Sequence, residues 1–425
     1  MQSFRINWRR VPALYKEHRK IVLFLLSQAI TLFGSSLVQY AMMWYVVRVT
    51  DSGRMMALFT ICGFMPQVLV SLFSGVWADR YDRRRLIMLA DGGIAVSTLV
   101  LCIMMRMGYE GMGPVFIISA IRSLGSGVQS PAVNAIIPQI TEEKHLMRVN
   151  SVNGAIQSIV MLAAPMAGAG ILMLSSMPAV LMVDVVTAAI GISVLLQLRI
   201  PTHKRAGEKV QTHLWQDFKE GIHYAWSSFF LRRMAIYYIA TSILIVPAAM
   251  FNILFVTRVY GDSYLYLALN EASFFVGSLV SGMVLATWGG FKNRLHTLVI
   301  GCAIFGLATF LFGLTPPFWL YLVIMLVAGL TMPTFQAPIM VLMQEKVEGD
   351  MLGRIFSLTQ IISSLVMMTS TAITGRMTDA ISLELIMIVD GIMLILLSIA
   401  IVIDKPFTKE GLSKTPLLIP QEDVR

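Results

Sequence analysis

The sequence predicts an all-α integral membrane protein with twelve transmembrane helices arranged as two parallel six-helix repeats. Three observations predict it. Of the 425 residues, 56% are hydrophobic and only 13% charged, whereas a soluble chain uses roughly a quarter charged residues to cover its surface. A mean hydropathy of +0.74 comes from about twelve apolar runs, each near the ~20 residues that an α-helix needs to cross a bilayer. The two halves also match one another at a near-constant offset. A soluble globular enzyme and a disordered scaffold are both excluded.

The elements follow in order. An N-terminal tail of residues 1–20 precedes spans near 21–47, 55–78, 86–105, 114–138, 151–174 and 178–198, which form a first bundle over 21–198. A central loop over 199–233 leads to spans near 234–257, 264–288, 295–314, 318–342, 355–375 and 383–403, a second bundle over 234–403. Residues 404–425 form a C-terminal tail. The first run, Ile21–Val47, is too long for a cleaved signal and has no small-residue cleavage site after it, so it reads as a span that stays. With the N-terminus inside, the inner segments hold 27 Lys and Arg, against 5 in the outer loops (Arg48, Arg54, Arg106, Arg258 and Arg376). That bias predicts both termini on the cytoplasmic side. In the central loop Leu214, Phe218, Ile222 and Trp226 recur at helical spacing with charges between them. They predict an amphipathic helix on the inner surface or against the bundle.

The repeat is carried by particular residues. Gln129 and Pro131 match Gln336 and Pro338, and Gly75 matches Gly282, at a shift of 207. Arg148, Ser151 and Asp184 match Arg354, Ser357 and Asp390 at a shift of 206. An even number of spans per copy means that both copies enter the membrane the same way, about an axis along its normal. Two like bundles rocking about a shared site then give alternating access.

The net charge of +9 sits in short loops, so membrane topology explains it and no nucleic-acid partner is expected. Cys62, Cys102 and Cys302 fall inside spans without a CxxC, and the six histidines have no ligand spacing, so neither a metal nor a cofactor is expected. The chain has no phosphate-binding G-x-x-x-x-G-K-[ST], no HExxH and no nucleophile–base arrangement; an enzyme is not expected.

The informative polar residues lie in or beside the spans. Arg122 is the only basic residue inside one, where a lone guanidinium costs at least ~2.5–3.5 kcal/mol, so it must face a cavity or a partner. Four acids lie deep within the spans: Asp91, Asp184, Glu271 and Asp390. At 1.5 Å per residue, Asp184, Glu271 and Asp390 lie roughly 9–10 Å below the outer face, Arg122 roughly 12–13 Å below it, and Asp91 about 10 Å above the inner face, out of easy reach of Arg122. Glu271 has Phe64 at its repeat position, so duplication does not account for it, and a lone carboxyl in low dielectric can load and release a proton. Glu271, Arg122 and Asp184 form the expected proton-coupling set, although the symmetry of Asp184 with Asp390 also favours a structural role. Gln28, Gln39, Gln129, Asn134, Asn252 and Gln336, amid Met and aromatic side chains, are the expected lining of a poorly charged substrate cavity. Such a lining suits a large amphipathic substrate.

Three stretches carry a family resemblance. The loop Gly75-Val-Trp77-Ala-Asp79-Arg80-Tyr-Asp82-Arg83-Arg84-Arg85 resembles the major facilitator signature G-x-L-a-D-r-x-G-r-r, departing at Trp77 and Asp82. Arg122-Ser-Leu-Gly125-Ser-Gly127 resembles the span-four signature tied in that family to proton coupling. Ala164-Pro165-Met-Ala-Gly168-Ala169-Gly170 is similar to the span-five antiporter signature G-P-x-x-G-G, with alanines replacing two glycines. Together with DRYDRRRLIMLAD, WQDFKEGIHY, LNEASFFVGSL, TWGGFK and VLMQEKVEGDMLGRIFSL, they resemble the macrolide-efflux branch of the major facilitator superfamily over nearly the whole chain. The resemblance implies a monomeric multi-pass exporter of the bacterial cytoplasmic membrane that exchanges amphipathic, macrolide-like drugs for protons. It implies a gating latch of Gly75, Asp79, Arg80, Arg83 and Arg84, with Asp79 facing the start of helix eleven near Gly353 and Arg354, and an antiporter-type kink at Pro165 and Gly168. The latch and the kink are one-sided: the second half has Ala286, Thr371 and Thr374 at the positions of Asp79, Pro165 and Gly168. Exporters of a siderophore or another metabolite, and uptake symporters on the same fold, are the alternatives.

Overall fold

The computed structural model describes residues 11–109, 111–142, 145–198 and 214–412, and every regular element among them is a helix. Contacts divide the chain into two compact units, Met1–Val46 with Phe59–Glu208, and Val47–Leu58 with Lys209–Arg425.

The first unit is built from α1 (Val11–Thr50) and α2 (Gly53–Arg80), except for the ends Val47–Leu58 that join them, and from α3 (Arg83–Arg106), α4 (Met112–Ile140), α5 (Leu146–Leu174) and α6 (Met177–Gln197). α3 packs along both α4 and α6. Asp82, the residue that departs from the loop signature, caps α3 by accepting hydrogen bonds from the amides of Arg84 (3.0 Å) and Arg85 (3.4 Å). An aspartate there satisfies otherwise orphaned helix-start amides. Close packing of α4 on α2 depends on Gly127, where a Cβ would fall 2.8 Å from the carbonyl oxygen of Gln67. The neighbouring Ser123 hydroxyl accepts from the Gln67 amide at 2.9 Å, next to Pro66 inside α2.

The second unit holds α7 (Leu214–Ser227), α8 (Phe229–Met250), α9 (Asn252–Tyr260), α10 (Tyr264–Trp288), α11 (Arg294–Gly313), α12 (Phe318–Lys346), α13 (Gly349–Met377), α14 (Leu383–Ile403) and α15 (Lys405–Glu410). The span expected at 234–257 is a broken helix. Pro247 cannot donate to Ile243 four residues back, and the freed carbonyl of Ile243 instead accepts from the Ser370 hydroxyl of α13 at 3.0 Å. α8 ends three residues later and α9 restarts at the buried Asn252. Counting α8 and α9 as one, eleven spans among the described residues are long and apolar enough to cross a membrane. The 29-residue α4 is a further long helix; the polar run Ser119, Arg122, Ser123, Gln129 and Ser130 keeps it less apolar than the rest.

α7 lies where the amphipathic helix is expected. Gly221 and Tyr224 face inward, with Gly221 beside Arg354 of α13, while Ile222 and Trp226 are exposed. The face carrying Gly221 brings α7 close to α13, and Glu220 pairs with Arg354 at 2.8 Å. The side chains of Leu214 and Phe218 lie outside the described residues. The C-terminal segment begins with a docked helix: Asp404 heads α15, and Phe407 is buried against the rings of Phe230 and Tyr237, both at 5.2 Å.

The turn between α1 and α2 is held by ion pairs inside the second unit. Asp51, in the left-handed region at φ 43°, accepts from Arg258 of α9 at 3.0 Å. Asp379 accepts from the amides of Gly53 (2.7 Å) and Arg54 (3.3 Å), so it caps α2 from a distant part of the chain. Arg48 donates to Asp262 at 2.8 Å and lies over the Tyr264 ring. That hydrogen bond and the charge behind it hold the Asp262 carboxyl below the usual carboxylate range. Its stabilisation is therefore present at neutral pH and fades as pH falls through that lowered value. Two of the five arginines placed outside by the sequence thus have fixed acidic partners. Asp379→Ala is expected to lower stability by roughly 1–2 kcal/mol, the usual loss of an N-cap, read as a lower thermal midpoint of the purified protein.

Candidate functional site

The residues of the coupling set lie in two separate places. In the first unit, α4 presents Arg122 to Asp184 on α6 in an ion pair, both side chains almost wholly enclosed (5% and 1% exposed). Arg122 also donates to the Thr98 hydroxyl of α3, and at 3.1 Å to the carbonyl oxygen of Ser35 in α1. Asp184 accepts from Ser35 Oγ at 2.9 Å and from Thr98 Oγ1 at 3.0 Å. Four helices therefore meet at one charge pair. A buried pair needs further hydrogen bonds to its donors and acceptors; Ser35 and Thr98 supply them, while Arg122 Nε is buried without a partner. The similar depths of Arg122 and Asp184 were visible in the sequence; Ser35 and Thr98 were not, since neutral hydroxyls in a span carry no strong signal. The repeat mate Asp390 is only half-buried, and its Oδ2 has no hydrogen-bond partner. The two aspartates thus occupy different environments.

In the second unit, Glu271 of α10 is 8% exposed. Its neighbour Asn270 donates to Glu271 Oε1 at 3.4 Å, and the Tyr321 hydroxyl of α12 donates to Asn270 Oδ1 at 2.7 Å. Tyr321 is itself walled by Phe255, Phe312, Phe318 and Tyr260, with ring centroids 4.9–6.2 Å away. Sequence reasoning found Glu271 and missed Asn270 and Tyr321. α10 and α12 touch closely because Gly277 and Gly329 have no side chain: a Cβ on either would collide with the backbone of the other helix.

The remaining expected residues scatter. Gln129 donates to Asp91 Oδ1 at 2.6 Å, Gln28 is buried beside Ser27, Gln39 is half-buried, and Gln336 is exposed on α12. Two small, mainly apolar clefts flank Tyr238 in the second unit, one lined by Met234, Tyr237, Thr241, Phe335 and Phe407 among others. In the α2–α3 loop, Arg83 donates to the carbonyls of Ala78 and Ala135, both at 2.7 Å, and Arg84 to that of Leu196 at 2.7 Å. Ala78 and Leu196 lie in the last turns of α2 and α6, where a cation favours the helix dipole, and Ala135 lies five residues before the end of α4. The side chains of Gly75, Asp79 and Arg80 lie outside the described residues. Pro165 and Gly168 are buried in α5, and a Cβ on Gly168 would meet Leu37 of α1 at an ordinary 3.6 Å.

Eleven apolar helical spans among the described residues, with enclosed charges, define a multi-pass membrane protein, and comparison with known proteins makes it a transporter. The family model of the Major Facilitator Superfamily matches residues 24–371 and 248–421, and the chain belongs to that superfamily. It is 26% identical over 377 residues to Macrolide efflux protein A of Streptococcus pyogenes, covering 88% of this chain and 92% of that protein. It is 22% identical over 392 residues to Multidrug efflux pump Tap of Mycobacterium bovis, covering 89% and 90%. Among solved structures it is similar to the nucleoside transporter NupG, with a TM-score of 0.65, 15% identity and coverage of 91% of this chain and 98% of that one.

Proposed function

We propose that this protein is a secondary active exporter that exchanges protons for amphipathic, macrolide-like drugs across the bacterial cytoplasmic membrane, with both termini on the cytoplasmic side. The observation that carries this reading is the similarity to Macrolide efflux protein A along most of both chains. Mainly apolar surfaces bordered by Tyr237, Tyr238 and Met234 suit the apolar part of an amphipathic solute. Glu271, buried with a single weak amide donor, takes and releases the coupling proton. The Arg122–Asp184 pair holds the first bundle, 21–198, in a form that can answer that change, and the second bundle, 234–403, carries the acid. Asp79 acts as the inner latch, with Arg83 and Arg84 stiffening the loop that presents it. A pH difference of one unit supplies about 1.4 kcal/mol per proton, enough for a tenfold gradient of a neutral drug exchanged one for one.

Everted vesicles test the proposal. Acidifying their interior should drive accumulation of a radiolabelled macrolide, and a protonophore should abolish it. Accumulation in right-side-out vesicles with an acidic exterior, and none in everted ones, would establish an uptake symporter instead.

A further inference from the structure

The coupling set leaves one buried acid unused. Asp91 is 4% exposed in the middle of the first unit. α3 and α4 run antiparallel here and meet in layers two turns apart, roughly 10 Å. One layer pairs Thr98 with Arg122; the other pairs Asp91 with Gln129. Between them Gly125 lies against Ile94, an apolar spacer with no polar side chain. Arg122 is therefore committed to Asp184 and does not serve Asp91.

The surroundings of Asp91 are one-sided. Its Oδ1 accepts from Gln129 Nε2 at 2.6 Å, whereas its Oδ2 is buried without a hydrogen-bond partner. α4 and α6 pack against α3; their charged groups are Arg122 and Asp184, which neutralise each other. No cation faces Asp91 from either helix among the described residues. An ionised carboxylate in such a place is an uncompensated buried charge, and ionisable groups inside a membrane mark ion pathways by default. Unlike Gln129, Asp91 is not part of the duplicated scaffold. The matching positions in the second half are Thr297 or Leu298 for Asp91 and the exposed Gln336 for Gln129.

We propose that Asp91 is a second proton-exchanging carboxyl, lodged in the first unit, with Gln129 as its positioning residue. This rests on the antiport reading above. A proton from water adds to Oδ2, forming one O–H bond and leaving a neutral acid; the same bond breaks when the proton returns to water on the other stroke of the cycle. Gln129 holds Oδ1 and so aims Oδ2 away from itself. Each cycle then moves one proton at Asp91 beside the one at Glu271.

Two measurements on the full-length protein in lipid nanodiscs and proteoliposomes test this. Infrared difference spectra on stepping the pH, with no drug present, should contain a protonated-carboxyl band that Asp91→Asn removes and Glu271→Gln leaves. Gln129→Leu should keep this band but shift its frequency, because the hydrogen bond to Oδ1 is lost. Drug-induced proton release should fall about twofold in Asp91→Asn. Asparagine preserves size and the bond from Gln129, so a purely structural aspartate would tolerate it. The proposal is overturned if Asp91→Asn leaves the band in place, or removes it without changing proton release. Wild-type protein that moves drug but releases no protons would sink the antiport reading alone; the drug-free band would still report whether Asp91 takes up and releases a proton.

Discussion

Arg122→Ala is expected to destabilise the first unit by about 3–5 kcal/mol, the usual cost of removing one partner from a buried ion pair. The reason is what remains behind. Asp184 is 1% exposed, and without the guanidinium its charge keeps only the hydroxyls of Ser35 and Thr98. Asp184→Ala should cost a similar amount, since it strands the guanidinium instead. The double variant Arg122→Gln with Asp184→Asn removes both charges while keeping polar side chains of similar size, and should recover most of the lost thermal stability. If the pair also transmits the conformational change, the double variant will fold and still fail to export drug. Thermal unfolding in detergent and drug accumulation in everted vesicles separate these outcomes. A double variant no more stable than either single one would show that the pair is not the source of the loss.

Glu271→Gln is expected to abolish coupled transport at normal protein levels. Glutamine keeps the carbonyl oxygen that accepts from Asn270, so the chain of Tyr321, Asn270 and residue 271 survives and packing against the aromatic wall is unchanged. What disappears is the ability to change charge. Drug-induced proton release should fall to the part carried by Asp91, and drug accumulation against a gradient should cease, while equilibration down a gradient persists. Glu271→Asp shortens the side chain by one methylene and should retain partial coupling. Proton release equal to wild type in Glu271→Gln would remove this residue from the mechanism.

The spans were legible because each is a one-dimensional feature: a length of apolar sequence matched to the thickness of a bilayer. The split of Phe229–Tyr260 into α8 and α9 was not, because Pro247 alone is tolerated in membrane helices. Whether the helix breaks depends on a donor such as Ser370, more than a hundred residues away. The loop signature was legible as a pattern, and Asp82, which looked like a departure from it, proved to be the cap of α3. Of the buried charges, depth along the helix was readable from residue counts and kept Asp91 apart from Arg122. Angular position was not readable at that precision, so neither the packing of Gly221 and Tyr224 in α7 nor the bond from Gln129 to Asp91 could be read from the sequence.

By itself the sequence determined that this chain is a duplicated, multi-pass helical membrane protein of the Major Facilitator Superfamily, with its acids and its single span-borne arginine at defined depths. Hydrophobic length and repeat spacing are written along the chain and need no folding to be read. Only the tertiary structure decided the partners: Arg122 with Asp184, Asp91 with Gln129, and Glu271 with Asn270 beneath Tyr321. Partnership depends on how each helix is rotated about its axis and which neighbour it touches. Packing of many small side chains sets those rotations together, and no local stretch of sequence encodes them.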